Sequence, residues 1–244
     1  MSILENTKNT TGKKPVDICY LYGETLDSDF DNDHVPPKQF YPSEIRKSFN
    51  FDDLFTLPTH KICNKSYHSD EDYFVYSFGI LAIGSYSGNA IWNDIVKRFT
   101  REPQGTKMIN KILKEFDSKP MGIILPQGKI GKRFDWQRIY RVIWKVTRGL
   151  FFKEKSQYLP ENTPKHIVIT PPDEKPPDEF FYLRNSKSKG QYPSVFDYKH
   201  EEFSGFYLHI WAMLFWDKLI TLIMFHDPQK CICETCGTIR SKLG

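Results

Sequence analysis

The alternation of apolar and polar positions predicts helices in the middle of the chain and strands toward its end. The run FDWQRIYRVIWKVTRGLFFKE at 134–154 places Ile139, Val142, Ile143, Val146 and Leu150 at helical spacing, the strongest helix signal in the sequence. Helical spacing also runs from Asp72 to Phe116, with breaks at REPQG (101–105) and around Gly84, Ser85, Ser87 and Gly88. Residues 120–131 (PMGIILPQGKIG) read as a short strand and a turn. The runs HIVIT (166–170) and FFYL (180–183) read as strands, separated and followed by loop-like text at 170–180 and 184–194. The 206–226 segment is apolar and long enough to raise the question of a membrane span. Asp217 and Lys218 sit at its middle, where a charged pair is costly in a bilayer, so the segment predicts a hairpin of two buried strands. The C-terminal half thus reads as a helix followed by an antiparallel sheet.

Composition changes this picture at the N-terminal end. The first dozen residues are polar and predict a disordered tail, 1–12, without the apolar core of an export signal. From Lys13 to Glu71 the text is rich in turn formers, Cys, His, Asp and Asn, the composition of a small region held together by metal. The chain therefore divides into 1–12, a module at 13–90, an accessory region of helices and antiparallel sheet at 91–230, and a Cys-rich tail at 231–244. The formal net charge of +4 permits a polyanionic partner without demanding one. Five cysteines, an odd number without an export signal, argue against a disulfide framework and for a cytoplasmic location.

The candidate chemistry gathers in the 13–90 module. The segment DNDHVPPKQFY (31–41) presents Asp33 and His34 just before Pro36 and Pro37, which fix their own φ and favour extended backbone ahead of them. His60 and Cys63 are spaced so that both side chains reach one metal ion, and with Cys19 they make three ligands of a zinc site.

In order, these are a Cys knuckle at 19–24 (CYLYGE), Asp33-His34-Val35-Pro36-Pro37-Lys38, a second knuckle ending Cys63-Asn64, and Asp70-Glu71-x-Tyr73-Phe74. That order resembles the HNH endonucleases, in the branch with the DHVPPK signature. RVIWKVTRGLFF at 141–152, followed by YLP at 158–160, is similar in style to long members of that branch.

The resemblance implies an α+β fold in which an N-terminal, zinc-stabilised ββα-metal module precedes helices and a C-terminal antiparallel sheet. It implies metal-dependent hydrolysis of phosphodiester bonds in double-stranded DNA. His34 matches the general base, Asp33 and Asn64 match ligands of a catalytic Mg²⁺ or Mn²⁺, and Asp53 falls where a bracing Asn usually stands. His68, one helical turn beyond Asn64, could face the same ion. The resemblance also implies a phage-defence or mobile-element setting, with a homo-oligomer or a defence-system protein as further partners.

The zinc site departs from the family pattern: Tyr22 stands where a second Cys is usual, and His60 where a Cys usually opens the second knuckle. Three options stay open for the fourth position: a water, no structural metal at all, or a sulfur from CICETCG at 231–237. Cys233 and Cys236 could instead form a separate site or bind metal across a dimer, whereas Cys231 reads as inert. The bases Arg138, Arg141, Lys145 and Arg148 share one helix face, read either as a solvated face or as a stripe facing phosphates. Lys38 is a further candidate phosphate contact. Asp70 and Glu71 read as a solvated acidic cluster, and His200, His209 and His226 as packing or surface residues. The alternative function is a catalytically decayed scaffold that keeps zinc and binds nucleic acid or protein.

Overall fold

Strand β1 (Phe30–His34) runs antiparallel to β2 (Thr56–His60), with Phe30 opposite His60 and His34 opposite Thr56. Between them lie a 3-10 turn (Lys38–Phe40) and the short helix α1 (Ser43–Ser48). Helix α2 (Lys61–Gly79) follows β2 without a loop and packs back on the hairpin. The computed structural model describes residues 18–48, 54–101, 103–127, 129–172, 174–190 and 194–241. The N-terminal tail expected at 1–12 lies outside them.

Helices α3 (Tyr86–Arg101) and α4 (Pro103–Leu113) continue the chain, then a two-stranded ribbon pairs β3 (Phe116–Asp117) with β4 (Gly131–Lys132). The expected break near Gly84 is real, but Gly88 lies inside α3, where a Cβ would meet the Ala82 carbonyl oxygen. The segment 120–131 contains a 3-10 turn at Pro120–Gly122 rather than a strand, and only its last residue joins β4.

Helix α5 (Trp136–Lys155) carries the predicted apolar stripe: Ile139, Val142, Ile143, Val146 and Leu150 are all buried. Trp144, Lys145, Thr147, Arg148 and Phe151 are buried as well, so nearly the whole circumference is covered over these turns. The reason is its place in the stack. One side meets α2, and the other meets the large sheet, where Trp144 and Phe151 set their rings edge-on to Phe225 at 5.3 and 5.8 Å. A helix enclosed on both sides leaves no solvated face for the bases in its middle turns, Lys145 and Arg148.

Gly149 lets α5 approach the end of β1. A Cβ there would sit 2.7 Å from both γ-carbons of Val35, directly after His34. Gly149→Ala is expected to cost about 1–3 kcal/mol of stability through overpacking, read from the urea midpoint. An unchanged midpoint would show that the two segments can part without loss.

The sheet is antiparallel, in the order β5 (Lys165–Thr170), β8 (Leu219–His226), β7 (Leu208–Phe215), β6 (Phe196–Phe203). β7 and β8 form the expected hairpin, turning through Trp216 and Asp217 at positive φ. No helix among the described residues is long and apolar enough to cross a membrane. The run at 180–183 is not a strand: it ends a 3-10 turn, Asp178–Leu183, that places Leu183 and Phe180 on Ile210 and Leu222, over one face of the sheet. Short apolar runs are ambiguous by pattern alone, and two prolines at 176–177 set its entry. Helix α6 (Glu234–Ser241) closes the described chain. The architecture is mixed α+β with antiparallel sheets. A single buried apolar cluster runs from Cys19 through α2, α3 and α5 to Phe225, so the two regions expected at 13–90 and 91–230 share one core.

Indole Nε1 of Trp216, at the β7–β8 turn, donates to the Phe40 carbonyl oxygen at 2.8 Å. Phe40 also stacks on Phe74 of α2 at 5.0 Å and meets Phe215 edge-on at 5.7 Å. The loop that follows His34 is thereby held from behind by the sheet and by α2.

Candidate functional site

β1 delivers Asp31, Asp33 and His34; α2 delivers Cys63, Asn64, His68 and Glu71. A cleft of about 220 Å³ opens between them, lined by Asp33, His34, Lys38, Asn64, His68 and Glu71 among others. The residues expected to act together at 33, 34, 64 and 68 therefore border one space. Asp53 lies outside the described residues.

Asp31 and Asp33 are two apart on one strand, so both face α2. Asn64 donates from Nδ2 to Asp31 Oδ2 at 2.9 Å. An ionised carboxylate only accepts hydrogen bonds, so this contact fixes the amide's rotation and leaves Asn64 Oδ1 as the free acceptor. Sequence reasoning missed Asp31; its alternation with Asp33 was the available signal.

Asp33 is nearly fully buried, and its Oδ2 takes two donors, the Tyr20 hydroxyl and Lys145 Nζ at 2.7 Å. Lys145 Nζ also pairs with Glu71 Oε1. One ammonium thus serves two largely buried carboxylates at the floor of the cleft, an arrangement that keeps an excess of negative charge there. Burial pushes the Glu71 carboxyl above the usual carboxylate range, against the pull of Lys145. Burial, reinforced by the Asp33 charge, raises the Tyr20 hydroxyl well above its ordinary value, so it stays a donor. His34 is half-buried; burial and the nearby Lys38 ammonium pull its pKa below the ordinary value, against Asp33, and keep the imidazole neutral at physiological pH.

The basic face of α5 is drawn into internal contacts along most of its length. Lys145 belongs to the network just described. Arg148 is fully buried, donating to the carbonyl oxygens of Leu159 (2.8 Å) and Leu21. Arg138 and Arg141 pair with Asp70 at 2.7 and 2.5 Å and lie over the rings of Tyr73 and Tyr67. The nucleic-acid contacts expected at Lys145 and Arg148 are thus excluded by burial, whereas Arg138 and Arg141, paired with Asp70, keep part of their surface exposed. Asp70 and Glu71 are correspondingly not a solvated cluster but the acidic partners of α5. Lys38 is exposed at the cleft rim.

Ligand atoms of Cys19, His60 and Cys63 lie within 4.8 Å of one another. His60 Nδ1 is 3.9 Å from Cys63 Sγ, while Nε2 meets the Thr25 carbonyl oxygen at 3.1 Å. A backbone acceptor on Nε2 selects the tautomer whose Nδ1 is free to bind metal, the usual support for a ligating His. Burial, with Cys19 beside it, pushes the Cys63 thiol up to about 11. The donor set of two sulfurs and one nitrogen fits three of the four positions of a tetrahedral zinc. Tyr22 is 57% exposed and buries no donor there.

Elsewhere, His200 and His209 do pack. Their rings stack on Trp211 and Phe225 at 4.2 and 5.1 Å, and burial lowers both pKa values to about 4. His226 does not merely pack and Cys231 is not isolated: Nδ1 of His226 is 3.4 Å from Cys231 Sγ. The cysteines at 231–236 gather with His226 rather than with Cys19 and Cys63, so no sulfur is lent to the N-terminal knuckle.

No family model, no curated protein and no solved structure matches the chain.

Proposed function

We propose that the protein is a metal-dependent nuclease that hydrolyses phosphodiester bonds of DNA, built on an HNH-type ββα module. The observation that carries this reading is the shared cleft, in which a neutral imidazole (His34) borders the same space as a buried carboxylate (Asp33) and an amide of fixed rotation (Asn64).

His34 accepts a proton from a water whose oxygen attacks phosphorus while the bond to the leaving sugar oxygen breaks and that oxygen takes a proton from solvent, a role suited to an imidazole that is unprotonated at neutral pH. Asp33, Asn64 and His68 would hold the divalent ion. Tyr20 and Lys145 both bind Asp33 Oδ2 and leave Oδ1 as the ligand atom, and Asp31 holds Asn64 with its oxygen available. Hard oxygen donors suit Mg²⁺ or Mn²⁺, and such an ion supplies Lewis-acid stabilisation of the charge on the scissile phosphate. Lys38 at the rim stands where a phosphate contact is useful. Cys19, His60 and Cys63 would hold Zn²⁺ that ties the loop before β1 to the start of α2.

One observation favours a second reading. The Lys145 ammonium already neutralises Asp33 from within, as a decayed site that binds without cutting would tolerate. Incubation of supercoiled plasmid with the purified chain, with Mg²⁺ or Mn²⁺ and then with EDTA, separates the two. The nuclease reading expects nicking or linearisation that EDTA stops. Salt-sensitive binding without any divalent-dependent cutting would favour the binding module instead.

A further inference from the structure

The end of the sheet gathers a second donor set, complete where the N-terminal one is short of a ligand. Ligand atoms of His226, Cys231, Cys233 and Cys236 all lie within 4.8 Å of one another. His226 Nδ1 is 3.4 Å from Cys231 Sγ and 3.8 Å from Cys233 Sγ. Tetrahedral zinc with ordinary Zn–S and Zn–N lengths sets its donors roughly 3.5–3.8 Å apart.

Local backbone bonds build this convergence. His226 ends β8, and Asp227 then reverses the chain: its carbonyl oxygen takes the Cys231 N–H at 2.9 Å, and its carboxylate takes the Gln229 N–H at 2.9 Å. The Gly237 N–H bonds the Cys233 carbonyl oxygen at 2.9 Å, opening α6 so that Cys236 lies one turn from Cys233. What the cluster holds is equally telling. Among the described side chains of α6, Cys236 alone is buried, and Ile232 just before the helix is 85% exposed. A helix this short is marginal in water without outside support, and this one presents no described apolar face to the sheet.

We infer that His226, Cys231, Cys233 and Cys236 bind a structural Zn²⁺ that fastens α6 to the end of the four-stranded sheet. Three sulfurs and an imidazole select a soft or borderline ion over Mg²⁺. Four protein ligands leave no open position, so the site serves structure rather than catalysis. The inference does not rest on the nuclease reading.

The test uses the full chain, purified under reducing conditions. Zinc per chain is measured for the wild type, Cys63→Ser, Cys236→Ser and His226→Cys. Cys236→Ser is expected to lose one equivalent, and His226→Cys to keep it, since sulfur replaces nitrogen. Co²⁺ added to metal-stripped Cys63→Ser should give thiolate-to-cobalt charge-transfer absorption, which the Cys63→Ser/Cys236→Ser chain lacks. This arm decides the matter even if Cys236→Ser folds poorly, because Cys63→Ser leaves the C-terminal ligands untouched. Chelation should also speed tryptic cleavage at Lys230. A full zinc complement in Cys236→Ser, or a cobalt-loaded Cys63→Ser chain without charge-transfer absorption, overturns the inference.

Discussion

His34→Ala is expected to slow divalent-dependent DNA cleavage by about 10²–10⁴-fold, the usual contribution of a positioned general base. The side chain is half-buried beside the cleft and carries no hydrogen bond on which the fold depends among the described contacts. Asp33 keeps Tyr20 and Lys145, and Asn64 keeps Asp31, when the imidazole is gone. Stability and zinc content should therefore stay at wild-type levels while the cleavage rate collapses. The rate is followed as loss of supercoiled plasmid in Mg²⁺ and in Mn²⁺, beside a thermal melt and a zinc measurement. Cleavage at the wild-type rate by the variant removes His34 from the chemistry and the proposed mechanism with it.

Lys145→Met is expected to be the most destabilising single change. It strips the counterion from Asp33 and Glu71 while both stay buried against α5. Removing one partner of a buried ion pair typically costs about 3–5 kcal/mol, because the charge left behind has no water to replace it. The sign of the pH dependence follows from Glu71. Its folded-state pKa is already raised by burial, with Lys145 holding it down and Asp33 pushing it up. A carboxyl with a raised folded pKa adds stability below its unfolded value and loses it as pH rises through the folded value. Without Lys145 that folded value climbs further. The deficit of the variant against wild type should be largest at neutral pH and shrink on acidification, as measured by urea unfolding at both. Adding Glu71→Gln should recover part of the loss by deleting one stranded charge. A deficit that does not change with pH would show that packing, not charge, is what Lys145 supplies.

Much of this arrangement was legible in the residue order, and what was not has physical reasons. The long helix at 134–154 was readable because its apolar residues recur at helical period. The hairpin at 206–226 was readable because a charged pair divides two apolar runs. β6 (FDYKHEEF) was not anticipated: it is an edge strand, paired among the described strands with β7 alone, and the polar run at 199–202 cuts short the alternation that Phe196 and Tyr198 begin. The burial of Lys145 and Arg148 was invisible for a similar reason. Periodicity places bases on a common face but does not say what covers that face. Their partners, Glu71 and the carbonyl oxygens of Leu21 and Leu159, come from distant segments. At the site, Asp33, His34 and Asn64 were named from their motif order, whereas Asp31, Tyr20 and Lys145 act through contacts that only folding creates. His226 was passed over because, although Cys233 and Cys236 have the spacing of a zinc knuckle, it stands five residues before Cys231, at the end of a strand and across a turn.

The bond from Trp216 to the Phe40 carbonyl oxygen joins positions 176 residues apart. A ribosome must synthesise the chain through residue 216 before that strut can form behind the loop that follows His34. Chains that end before residue 216 therefore lack the support that this bond gives the loop after His34.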